Sequence, residues 1–143
     1  MSFIFKIKTD KVVYLSDYAH HPSEIEQSVK SIRELYADKK IAAIFQPHLY
    51  SRTQDFYREF AESLSLFDEV ILTDIYPARE EPIPGVTSWL IYDLDTRVEK
   101  MMIQKAEILA TVEAKKEELE VLVSLGAGDI ENYATEITKI LNK

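Results

Sequence analysis

Apolar and polar positions along this 143-residue chain switch between a two-residue and a helical period. Phe3-Ile4-Phe5-Lys6-Ile7-Lys8 ends in apolar–charged alternation, the mark of a half-buried strand. Lys11-Val12-Val13-Tyr14-Leu15 follows across the polar pair Thr9-Asp10, which predicts an antiparallel hairpin. Ile25, Val29, Ile32 and Tyr36 then recur at helical spacing. Pro22 opens that helix, where a missing N–H costs nothing, and Glu24 sits favourably against the helix dipole. The helix is expected to run to about Ala37. Ile41-Ala42-Ala43-Ile44-Phe45 is apolar throughout, as a buried parallel strand is. Phe56, Phe60, Leu64 and Phe67 mark one face of a second helix, with Ser51 and Gln54 as a capping box. Glu69-Val70-Ile71-Leu72-Thr73 and residues 119–125 read as further buried strands.

Between those strands the signals are weaker. Thr87 is placed to cap a short helix with Trp89, Leu90 and Leu94; Lys100-Met101-Met102-Ile103 reads as a strand, and residues 108–116 as a charged helix. Ile130, Tyr133, Ile137 and Leu141 share one face of a final helix that Asp129 would cap. A hairpin followed by helix–strand units predicts an α/β fold in one domain, residues 1–143. Its sheet would hold about six mostly parallel strands, with helices on both faces.

Composition narrows the function classes. No cysteine is present, which removes disulfides, thiolate metal sites and cysteine nucleophiles and fits a cytoplasmic setting. A formal net charge of −8 argues against a nucleic-acid-binding surface, although backbone N–H groups at a helix start still suffice for a local phosphate site. No apolar run approaches a membrane span. Met1-Ser2 leads straight into the first strand without the pattern of a signal peptide, and this abrupt start is that expected of a piece of a longer protein.

Chemistry-bearing residues gather where strands give way to helices, the edge at which open α/β sheets bind ligands. Asp17, Tyr18, His20 and His21 fill the first such turn. Asp17 there suits ribose hydroxyls, and a histidine suits a carboxylate or proton transfer; the plain alternative is a helix cap with surface histidines. Adjacent His20 and His21 are poor joint metal ligands, because neighbours at a helix start point apart. His48 and Arg52 fill the second turn, four residues apart; they share a face if the helix has already begun near residue 48, and not if it begins at Ser51. Arg52 would grip a carboxylate or phosphate; the plain alternative is a pair with Asp55. Gly126-Ala127-Gly128 lacks the third glycine of a dinucleotide fingerprint, so it reads as a tight turn. Residues 74–85, with Pro77, Pro82, Pro84 and Gly85, form a long loop in which Glu80 and Glu81 read as solvated. No P-loop, nucleophile elbow or H-E-x-x-H occurs.

Four motifs in this order identify a resemblance. Asp17-Tyr18-Ala19-His20-His21-Pro22, Phe45-Gln46-Pro47-His48-Leu49-Tyr50-Ser51-Arg52-Thr53, Glu80-Glu81-Pro82-Ile83-Pro84-Gly85 and Leu125-Gly126-Ala127-Gly128-Asp129-Ile130 together resemble the C-terminal domain of the Mur ligases. They closely resemble the branch that joins L-alanine to UDP-N-acetylmuramate in peptidoglycan biosynthesis. The resemblance implies a Rossmann-like three-layer domain, the third of three. A preceding UDP-sugar domain and a central ATP-binding domain with a P-loop would be its partners. It also implies ATP and Mg2+ as cofactors of the full enzyme, an acyl-phosphate intermediate, and no activity or tight cofactor binding by this domain alone. By that likeness Asp17 contacts the ATP ribose, while Tyr18, His20, His48 and Arg52 line the place where alanine meets the acyl phosphate. Leu49 and Arg79 depart from the common pattern, where many members carry Arg and Gly. Ser51-Arg52-Thr53 after Gln46-Pro47-His48 favours the alanine branch over the muropeptide-recycling ligase. A stand-alone ligand-binding or regulatory α/β domain is the alternative of a different class.

Overall fold

A computed structural model describes residues 5–8, 11–94 and 98–143, the first four as backbone. Phe3, Ile4 and the expected turn at Thr9-Asp10 lie outside the described residues. The strands are β1 (Phe5–Lys8), β2 (Val13–Asp17), β3 (Ile41–Phe45), β4 (Glu69–Leu72), β5 (Glu99–Met102) and β6 (Val121–Leu125). They form one sheet in the order β1-β2-β6-β3-β4-β5. β1 runs antiparallel to β2, and the other neighbours are parallel. The helices are α1 (Pro22–Leu35), α2 (Tyr50–Leu64), α3 (Trp89–Tyr92), α4 (Ile108–Lys115) and α5 (Ala134–Leu141), with 3₁₀ turns at Lys105–Glu107 and Asp129–Tyr133.

Alternation along buried strands builds two cores. Ile41, Ala43 and Phe45 of β3, with Val121, Val123 and Leu125 of β6, face Ile25, Val29 and Ile32 of α1 and Phe60 and Leu64 of α2. Ala42, Ile44 and Leu122 face the other way, onto Ile108, Val112, Ile137 and Leu141 of α4 and α5. Continuous apolar strands are what a sheet covered on both faces requires. One polar pair crosses the second core: Tyr14 Oη and Ser124 Oγ lie 2.7 Å apart, and burial pushes the phenol up to about 12.

This topology creates the site. Helices leaving β2 and β3 lie on one face, whereas the helix leaving β6, the strand between them, lies on the other. The carboxyl ends of β2, β6 and β3 are thus the point at which an open α/β sheet of this topology offers a ligand crevice. No helix among the described residues is long and apolar enough to cross a membrane.

Several local expectations are corrected. Phe56 does not join the first core with Phe60 and Leu64; it is 36% exposed, and its ring meets His21 at 5.9 Å. The final helix is divided, its first residues forming the 3₁₀ turn before α5. Leu94 falls beyond the end of α3.

Candidate functional site

β2 ends in Asp17, whose buried carboxylate accepts the Ala19 N–H at 3.0 Å. Burial raises its pKa, against the lowering effect of that bond. Asp17 therefore does not cap α1. Glu24 serves the start of α1 instead, its Oε1 accepting the N–H groups of His20 and His21, both at 3.1 Å. Burial opposes ionisation of Glu24, but those bonds and the nearby imidazoles hold its pKa below the usual value. His20 Nδ1 lies 2.9 Å from the Tyr18 carbonyl oxygen and 3.4 Å from Glu24 Oε1. Tyr18 is exposed, and its phenol pairs with Glu131, which raises the phenol pKa.

The turn after β3 is held by residues distant in sequence. Leu49 adopts φ 75°, a conformation that β-carbon residues avoid, immediately before α2. Its neighbourhood is pinned from the β4 side: Leu49 N–H donates to the Tyr76 carbonyl and the Tyr76 N–H to the Pro47 carbonyl, each at 2.8 Å. Thr53 adds N–H and hydroxyl bonds to the Leu49 carbonyl at 3.2 and 3.0 Å. α2 begins at Tyr50, so His48 lies outside it, yet the two side chains meet, with Arg52 Nη1 2.9 Å from His48 Nδ1. The recorded guanidinium bonds go to His48 rather than Asp55. Burial, then the Arg52 charge and His20, lower the His48 pKa, while Glu80 acts the other way.

Rings close the cluster. His48 stacks on Tyr76 with centroids 5.6 Å apart and planes 11° from parallel. His20 meets His48 edge-on at 5.9 Å and His21 at 5.3 Å. The structure thus brings His20, His48 and Arg52 together, with Asp17 at the base of the first turn and Tyr18 turned toward Glu131.

Two acidic residues behave differently from expectation. Ser51 is no capping box with Gln54; its N–H donates to Glu80 Oε1 at 3.1 Å and its hydroxyl to Glu80 Oε2. Glu80 is therefore a strap from the 74–85 loop to the start of α2, and those bonds lower its pKa. Asp129 does not cap the last helix, since Gly128 holds the position before that 3₁₀ turn. The Asp129 carboxylate takes Gln46 Nε2 at 2.8 Å and Lys105 Nζ at 2.5 Å. Gln46 Oε1 in turn accepts the Ile130 N–H at 3.2 Å.

Gly128 explains its own identity. A β-carbon there would stand 2.5 Å from Tyr76 Cγ and 2.8 Å from Gln46 Oε1. Gly126 has φ 152°, and a β-carbon would stand 2.9 Å from Ile130 Cγ2. The third turn therefore backs the ring that backs His48. Gln46, Tyr76, Glu80 and Gly128 are the supporting residues that spacing does not assign. Their one sequence signal is the pairing of a loop rich in Pro with a Gly-x-Gly turn.

A separate cleft of about 470 Å³ opens beyond Tyr50, at the carboxyl ends of β4 and β5. Asp74, Trp89, Gln104 and Glu107 line part of it, and none of the clustered histidines does. Among the described residues, no group of three or more His, Asp or Glu side chains is arranged to hold a metal ion.

The family model described as "Mur ligase, glutamate ligase domain" matches residues 3–130. A UDP-N-acetylmuramate–L-alanine ligase of Phocaeicola vulgatus is 66% identical over 142 residues, 99% of this chain and 31% of that protein. Its namesake from Parabacteroides distasonis is 54% identical over 141 residues, 99% of this chain and 30% of that protein. Among solved structures, the UDP-N-acetylmuramate-alanine ligase of Thermotoga maritima superposes with a TM-score of 0.66 at 25% identity, covering 96% of this chain and 28% of that one. A murein peptide ligase of Psychrobacter arcticus superposes with a TM-score of 0.73 at 19% identity, over 100% of this chain and 30% of that one, a likeness of fold. The chain thus spans about a third of the length of these curated relatives. Matched over most of its length, and with its motif residues converging at one sheet edge, it belongs to the Mur ligase C-terminal domain family.

Proposed function

We propose that this chain is the C-terminal domain of an ATP-dependent ligase that joins L-alanine to UDP-N-acetylmuramate. The observation that carries the proposal is the 66% identity, over 99% of the chain, to a ligase of that name. The activity belongs to the whole enzyme, cytoplasmic like its soluble substrates, with a sugar-nucleotide domain and an ATP domain supplying the rest of the active site.

Chemistry at the crevice supports this reading. Two helices of more than three turns begin at it, α1 and α2, so the positive ends of their dipoles face it, with the Glu24 and Glu80 carboxylates already accepting N–H groups at those starts. Arg52 adds a permanent positive charge beside them. A carboxylate of an amino acid and the phosphoryl group of an acyl phosphate both match that field. Asp17 offers a carboxylate for ribose hydroxyls. The described residues form no cage for Mg2+, so magnesium would be held by the other domains with the ATP phosphates. In this domain the residues bind and orient; closure over the other domains would exclude water from a hydrolysable intermediate.

The test begins at the gene. The reading frame should extend upstream of residue 1 by about two further domains. The complete product should release ADP only when UDP-N-acetylmuramate and L-alanine are both present, and residues 1–143 alone should release none. ADP release independent of alanine, or a native frame beginning at Met1, would overturn the proposal.

A further inference from the structure

Hydrogen-bond direction fixes which nitrogen of each clustered histidine carries the proton. A carbonyl oxygen only accepts, so His20 Nδ1, 2.9 Å from the Tyr18 oxygen, must carry a hydrogen. In the neutral ring its Nε2 is then a bare lone pair. A guanidinium only donates, so His48 Nδ1, 2.9 Å from Arg52 Nη1, must be bare. In the neutral ring its Nε2 then carries the hydrogen. We infer that the two imidazoles, 5.9 Å apart, are held in opposite tautomers, His20 presenting a proton acceptor and His48 a proton donor to the same crevice.

The surroundings of each ring suit that division. Glu24 Oε1 lies 3.4 Å from His20 Nδ1, so a proton gained at Nε2 produces an imidazolium beside a carboxylate. That carboxylate is fixed by the N–H groups of His20 and His21. His48 has the opposite environment: Arg52 against one edge, the Tyr76 ring flat on its face, and His20 on its other side. A second positive charge there is disfavoured, Glu80 offsetting Arg52 and burial only in part, so the ring stays a neutral donor. Tyr76 is a positioning residue, held by backbone bonds to Pro47 and Leu49 and backed by Gly128.

The tautomers follow from geometry alone; what they act on rests on the ligase reading. There, His48 Nε2–H and Arg52 hold the carboxylate of the amino acid. The α-ammonium breaks one N–H bond and passes that proton to His20 Nε2, which frees the nitrogen lone pair. That pair forms the C–N bond to the acyl-phosphate carbon. The C–O bond to phosphate breaks, and phosphate leaves with the electron pair and the second nitrogen proton.

Two measurements separate these layers. In the ¹⁵N-labelled chain, long-range ring correlations above the ordinary histidine titration range should show His20 protonated at Nδ1 and His48 at Nε2. Arg52→Met should release His48 into a tautomer mixture and leave the His20 pattern unchanged. Both rings in one tautomer, or a His48 pattern indifferent to Arg52→Met, would overturn the inference without touching the ligase reading. In the complete ligase, His20→Asn should lower kcat by about 10²–10⁴-fold near neutral pH, with recovery as alkali deprotonates the amine. His48→Gln, which keeps an N–H donor, should raise the KM for alanine with little change in kcat and no alkaline recovery. The reverse assignment of these two signatures would refute the division of roles. Absence of any alanine-dependent activity in the unmodified ligase would refute the ligase reading and leave the tautomers standing.

Discussion

Gly128→Ala isolates the mechanical link between the third turn and His48. Gly128 has φ −91°, outside the left-handed region, and the contact its new β-carbon would make is the effect under test. The new β-carbon would stand 2.5 Å from Tyr76 Cγ, the root of the ring and not a flexible tip. Tyr76 cannot retreat easily, because its N–H and carbonyl are bonded to Pro47 and Leu49 at 2.8 Å. Overpacking of this kind costs about 1–3 kcal/mol. Displacing the ring from His48 adds about 0.5–1.5 kcal/mol for a lost stacked pair. A total of about 1.5–4.5 kcal/mol is a large share of a domain's usual stability of about 5–15 kcal/mol. Urea unfolding should show a midpoint lowered by about 1–2 M at unchanged slope. Tyr76→Ala removes the nearer obstacle and leaves Gln46 Oε1 at 2.8 Å, so the same glycine substitution in that background should cost at least about 1 kcal/mol less than in the parent. Additive costs in the double variant, or a Gly128→Ala midpoint equal to the parent's, would refute the link.

Other predictions concern charge and the loop strap. Asp17 has a raised pKa in the folded state, so the native form binds protons more tightly than the unfolded chain, and stability falls as pH rises from the ordinary carboxylate range through the raised value. Asp17→Asn should therefore stabilise the domain at neutral pH by about 0.5–2 kcal/mol and lose that gain in acid, as urea titrations at the two pH values would show; a difference independent of pH would count against it. His48 has a lowered folded pKa, so its contribution runs the other way: stability falls as pH drops from the unfolded value toward the folded one. His48→Gln should flatten that part of the stability–pH curve, and an unchanged curve would contradict the assignment. Glu80→Ala should speed amide exchange at Ser51, whose N–H it accepts, while β3 remains protected; equal exchange at Ser51 would remove the strap.

Much of the framework is written in local pattern. β3 matches its apolar run residue for residue, and α1 starts at Pro22 as its proline and Glu24 imply. Such elements bury a periodic face, and periodicity is a sequence property. The site was half legible for the same reason: His20 and His48 lie in turns after buried strands, where ligands gather. What was not legible is long-range pairing. Ser51 has a plausible partner in Gln54, three residues on, but takes Glu80 instead. Asp129 looks like a cap, yet Lys105 and Gln46 claim its carboxylate from 24 and 83 residues away. Tyr76 carries no periodic signal, because its place against His48 comes from a bridge between two loops. Spacing alone leaves the His48–Arg52 contact undecided, since His48 lies before α2 and across the positive φ at Leu49.

The role proposed for the crevice turns on Arg52 meeting the amino acid in the assembled enzyme. Steady-state kinetics of the complete ligase, with L-alanine varied, compare the parent with Arg52→Ala. Losing a hydrogen bond to a charged group costs about 1.5–3 kcal/mol, so kcat/KM for alanine should fall by about 10–150-fold. Saturation by UDP-N-acetylmuramate should change little. Unaltered alanine kinetics in Arg52→Ala would place the amino acid elsewhere and contradict the account of this crevice.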